Sequence, residues 1–181
     1  MRFLTLLFFI FFTSANSQDF NQKNQLDELF DQLQKVHNYK TAKVLEEKIW
    51  SVWHEHPFDI KLTQRLELGI ELMEYRRYDY ALKVFSNIIA NDPKWSEAWN
   101  KRATVFFLMN QYDKSLSDIE KVLNIESRHF GALSGQARIF IKLQKYERAI
   151  ISLKKALKFY PSFKSGELII ELEKLIREES I

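Results

Sequence analysis

Cysteine is absent from the 181 residues. That excludes disulfide stapling, thiolate metal sites, a cysteine nucleophile and a lipid-modified cysteine. Glycine and proline number only 4 and 3. Such sparse punctuation suits long helices better than many short, turn-bounded strands. An excess of one charge is lacking too: 27 Lys and Arg against 24 Asp and Glu leave +3, too weak a balance to imply nucleic acid. No Asn-x-Ser/Thr acceptor site occurs. Catalytic motifs are missing: there is no G-x-S-x-G, no phosphate-cradling glycine loop and no H-E-x-x-H, so we expect no enzyme, no cofactor and no metal. His54 and His56 flank Glu55, but residues two apart on a helix do not face each other, and zinc needs three or four converging ligands.

What is present is globular: 46% hydrophobic and 28% charged residues, enough chain for one domain with a core. The first residues stand apart. Arg2 is a short basic region, Phe3 to Phe12 is apolar except for Thr5, and Ala15 and Ser17 satisfy the small-x-small rule. Residues 1–17 therefore read as a secretory signal peptide cut after Ser17. A single-pass anchor is the competing reading, although the apolar run is about half the roughly 20 residues that a spanning helix needs. Residues 18–24 are polar and read as a flexible linker.

The rest of the chain repeats. Tyr78, Tyr112 and Tyr146 are spaced by 34, as are the small residues Gly69, Ala103 and Ala137, and again Ala81, Ser115 and Ala149. Leu72, Phe106 and Phe140, then Phe85, Ile119 and Leu153, then Ile88, Val122 and Ala156 keep the same interval. Pro93 and Pro161 lie two periods apart, with Ser127 between. The unit is two antiparallel helices that approach closely at the small columns. Proline ends the second helix, because it cannot continue one. One such unit cannot bury its apolar face alone, so units stack. The periods run 62–95, 96–129 and 130–163. Residues 25–57 form a divergent hairpin, expected to cap the N-terminal end. Residues 164–181 form an amphipathic capping helix with an acidic outer face.

This column pattern resembles the tetratricopeptide-repeat (TPR) signature. The resemblance implies an all-α solenoid, a right-handed superhelix of helix hairpins, and a binding scaffold rather than an activity. The run Trp99-Asn100-Lys101-Arg102-Ala103-Thr104, with Tyr112, Ser115, Asp118-Ile119 and the stretch Arg128 to Gly135, is similar to small exported TPR proteins of Gram-negative bacteria. It implies a periplasmic or envelope location. The Lys/Asn/Arg clamp of TPR domains that hold chaperone carboxylates is absent: its positions carry Leu66 and Ile70, Lys101, and Gly131 and Gly135.

In such a superhelix the first helix of each unit lines the concave surface. Thr63, Leu66, Ile70, Met73 and Glu97 are expected to face it, and the partner-binding candidates are Asn100, Thr104, Phe107, Gly131, Ser134, Arg138 and Lys142. Apolar anchors beside Asn and Arg suit a peptide or helix of another protein. Gly131 and Gly135 share one helix face, which fits either a trough for a ligand or close helix packing. Arg102 is a secondary candidate; a partner for it is expected in Asp118 or Glu126. His129 is another, read as a polar loop residue or an anion reader. Trp50, Trp53, Trp95 and Trp99 read as core at repeat junctions. The basic last repeat, with Lys154 and Lys155, leaves a second reading open: an envelope assembly factor held at the membrane by an uncleaved leader. Membrane contact is expected only in that case.

Overall fold

A computed structural model describes residues 21–179. Among the described residues nine helices follow one another: α1 (21–35), α2 (Tyr39–His54), α3 (Ile60–Glu74), α4 (Tyr78–Asn91), α5 (Ser96–Leu108), α6 (Tyr112–Ile125), α7 (Phe130–Lys142), α8 (Tyr146–Phe159) and α9 (Gly166–Glu179). Among the described residues there is no strand, and no helix is long and apolar enough to cross a membrane. The leader at 1–17 and residues 18–20 lie outside the described residues. Residues 21–24, expected as linker, belong to α1. Gln22 Nε2 there donates to the carbonyls of Val52 at 2.8 Å and Glu55 at 2.9 Å.

The helices pair as α3/α4, α5/α6 and α7/α8, and each pair packs on the next, with α9 closing the C-terminal end against α8. The tyrosine column supplies the first residue of α4, α6 and α8. The small columns meet as expected in the second pair, where Ser115 Oγ donates to the Ala103 carbonyl at 2.7 Å. At Gly69 a Cβ would collide with the Phe85 ring.

The hairpin α1–α2 departs from expectation. It does not stack on α3 as a preceding repeat would. Instead it lies across the starts of α5 and α7 and the segment after α8. Leu29, Phe30 and Leu33 of α1, with Leu45, Ile49 and Trp53 of α2, share one core cluster with Phe130, Leu133, Ala156 and Tyr160. The reason is aromatic complementarity. The Phe30, Trp50, Trp53, Phe130, Tyr160 and Phe163 rings meet at centroid distances of 5.0 to 6.3 Å, within the range where tilted and edge-on pairs are favourable. Polar ties hold the edges. Asp27 pairs with Arg128 at 2.6 Å, Tyr160 donates to Glu46 at 3.1 Å, Ser162 donates to the Val36 carbonyl at 3.0 Å, and Trp95 Nε1 donates to the Trp53 carbonyl at 2.9 Å. Moving the hairpin here leaves the outer face of α3 open, with Ile60 and Leu68 exposed, and with Tyr75 exposed just beyond its C-terminal end.

Candidate partner-binding cleft

The first helices of the second and third repeats, α5 and α7, stand side by side, and a cleft of about 290 Å³ opens between them. From α5 come Asn100, Lys101, Thr104 and Phe107; from α7 come Gly131, Ser134, Gly135 and Arg138. Ser115 and Ile119 of α6 also line it. Glu46 and Trp50 of α2 and Phe163, between α8 and α9, bring the hairpin side of the fold to it. Six sequence-nominated residues thus meet here: Asn100, Thr104, Phe107, Gly131, Ser134 and Arg138. Lys142 is exposed one turn further along α7 and does not line the cleft. Nor do Thr63, Leu66, Ile70 and Met73 of the first repeat. Leu66 is fully buried, and Thr63 Oγ1 accepts from the His56 amide at 2.8 Å.

The two glycines on α7 separate by role. A Cβ on Gly131 would run into the Trp50 indole, so that glycine exists for hairpin docking. At Gly135 a Cβ would make only an ordinary 3.7 Å contact with Ile119. A mid-helix glycine costs about 0.5–1 kcal/mol relative to alanine, and here no neighbour requires it. The space it leaves opens on the cleft.

Beside the cleft lies a buried charge cluster that the sequence did not disclose. Glu97 is fully buried, against the expectation that it faces the groove. Lys101 Nζ reaches it at 2.8 Å, Asn100 Nδ2 at 2.9 Å and His129 Nε2 at 3.2 Å. Burial alone would push the Glu97 carboxyl up; Lys101 and His129 override it and hold the carboxyl at about 2. His129 is fully buried rather than a loop reader of anions. Its Nδ1 accepts from the Ala132 amide at 3.1 Å and so caps α7. That bond assigns the ring proton to Nε2, which donates to Glu97. The Trp53 indole stacks on the imidazole at 4.0 Å with planes 6° apart. His129 therefore joins α5, α7 and α2.

Arg102 is also occupied internally. It pairs bidentately with Asp118 at 2.7 and 2.8 Å and donates to Ser86 Oγ of the preceding repeat at 3.0 Å. Glu126, the other expected partner, holds Arg128 at 2.8 Å. His56 mirrors His129: its Nδ1 accepts from the Asp59 amide at 3.0 Å and its Nε2 meets Asp92 at 2.9 Å. This contact holds the Asp92 carboxyl below its usual range. On the other face of the array, Lys154 pairs with Glu173 of α9 at 3.2 Å. Among the described residues Arg138 has no such partner in the cleft, and it is exposed.

The tetratricopeptide-repeat family profile matches residues 96–129 and 131–163, the α5/α6 and α7/α8 pairs. A TPR repeat-containing protein of Rhizobium etli is 38% identical over 110 residues, covering 61% of this chain and 53% of that protein. The chain thus spans about half the length of that relative. Among solved structures, the first TPR of Spaghetti (RPAP3) bound to an HSP90 peptide superposes with a TM-score of 0.61 at 19% identity, over 65% of this chain and 94% of that one. The Yersinia enterocolitica type III secretion chaperone SycD, in complex with a peptide of the translocator YopD, gives 0.58 at 16% identity, over 68% and 95%. Profile, relative and superpositions agree with the 34-residue columns and the paired helices: residues 96–163 carry tetratricopeptide repeats, and the fold is an all-α solenoid.

Proposed function

We propose that the chain is a non-enzymatic interaction scaffold that holds a segment of another protein in the cleft between α5 and α7. The observation that carries this reading is the cleft itself, which joins apolar surface from Phe107 and Ile119 with the polar groups of Ser134 and Arg138. Such a mixture anchors side chains and satisfies peptide carbonyls and carboxylates. Two of its structural neighbours are peptide complexes, which supports a protein ligand for this fold. Residues 1–17 support action in the periplasm or envelope.

The test is photo-crosslinking in the native cell from a reactive residue at Ser134, with Lys154 on the opposite face as control. A discrete adduct from Ser134 alone is expected, and its mass identifies the partner. Adducts from Lys154 only, or none from either site, would remove the cleft from consideration.

A further inference from the structure

The hairpin sets what the cleft can hold. Trp50 fills the space over Gly131 and Glu46 stands beside it, so the groove is blocked on the side where α5 and α7 begin. The remaining volume, about 290 Å³, sits at the bottom of the range for ligand pockets, roughly 300–1,000 Å³. It takes one or two large side chains and not a long run of extended peptide. Its interior is apolar around Ile119, where Gly135 leaves room for an inserted group. Charge at its border is uneven. Lys101 is neutralised by Glu97, while Glu46 is engaged by Lys43 at 2.9 Å and by Tyr160. Among the described residues, that leaves Arg138 as the cation available at the cleft.

We infer that the cleft is a single-anchor pocket: it receives one large apolar side chain of a partner protein, with an Asp or Glu of the same segment held by Arg138. This inference rests on the reading of the cleft as a protein-binding groove. The specificity lies in the spacing of anchor and acid within an internal segment. A free chain terminus is not needed, since the acidic side chain supplies the carboxylate that a guanidinium binds.

A library of short random peptides, displayed with both ends fused so that no terminus is free, tests it against the full-length mature protein. The wild type should enrich sequences with one large apolar residue and an acidic residue within a turn of it. Arg138→Glu should replace the acidic preference by Lys or Arg, with roughly tenfold weaker binding of the original peptides, the size of one charge-assisted contact. Gly135→Leu, which fills the pocket, should lose the apolar anchor, while Gly135→Ala keeps it; thermal melts of both variants verify the fold. Enrichment without an acidic residue, a consensus that survives Arg138→Glu, or no enrichment at all overturns the inference. If the Ser134 crosslink nevertheless forms, only the anchor rule falls; if neither appears, the scaffold reading falls with it.

Discussion

Glu97 shows how one side chain binds three elements together. It is fully buried, and its negative charge is stabilised by Lys101, Asn100 and His129. Its carboxyl is held at about 2 from the usual 4.5. A depressed folded-state value means stability that is present above 4.5 and lost as pH falls towards 2, a contribution of the order of 3 kcal/mol by linkage. Glu97→Gln should therefore destabilise the protein by roughly 3 kcal/mol at neutral pH, because Lys101 is left without its buried counter-charge. Urea midpoints measured against pH should show the gap between variant and wild type narrowing as pH falls from about 4.5 to about 2. None of this was legible in the sequence. Glu97 and His129 are 32 residues apart, and Trp53, which covers the imidazole, is a further 44 residues before Glu97. Only the docked hairpin turns a loop histidine into a core one. The candidates on α5 and α7 were legible, because helical spacing alone puts Asn100, Thr104 and Phe107 on one face.

At the scale of elements, the three repeat hairpins turn in the same way. Arg76, Asn110 and Gln144, again 34 apart, take φ of 57°, 58° and 56°. After each, the next amide bonds back five residues, Arg77 to Leu72, Gln111 to Phe106 and Lys145 to Phe140, all at 2.8 Å. This is a Schellman closure, which favours glycine at the left-handed position. Asparagine tolerates that conformation, whereas arginine and glutamine lose of the order of 1 kcal/mol in it. Gln144→Gly should raise stability by about 0.5–1 kcal/mol, seen as a higher melting temperature, and Asn110→Gly should gain less. The repeat period was readable because its columns are apolar, small or aromatic. The turn column is not readable in that way, because Arg, Asn and Gln share no property that a hydrophobic pattern records. Gly69 shows a related limit: smallness records that something comes close, not that a Cβ there would meet the Phe85 ring.

At the scale of the whole molecule, the docked hairpin departs from the nearest-neighbour plan of a solenoid. In the sequence Trp50 and Trp53 read as core; against what they pack was not readable, since the docking surface combines residues from three repeats. Gly131 is the most sensitive point. Gly131→Ala would drive a methyl group into Trp50 and should cost roughly 1–3 kcal/mol as overpacking does. Limited proteolysis should then cut the variant first between Glu55 and Asp59, while Gly135→Ala, which meets only Ile119 at 3.7 Å, stays resistant.

The ties between Asp27 and Arg128, Glu46 and Tyr160, and Val36 and Ser162 span 101, 114 and 126 residues. A stack of repeats can assemble stepwise from either end, but contacts this distant have a large loop-closure entropy and slow folding. A chain emerging N-terminus first, from a ribosome or a translocation pore, would carry α1 and α2 with their aromatic faces uncovered until Tyr160 and Ser162 had followed. The first helices of the described chain to appear are thus among the latest to find their place. Until then, Phe30 and Trp53 offer a holding chaperone a natural grip.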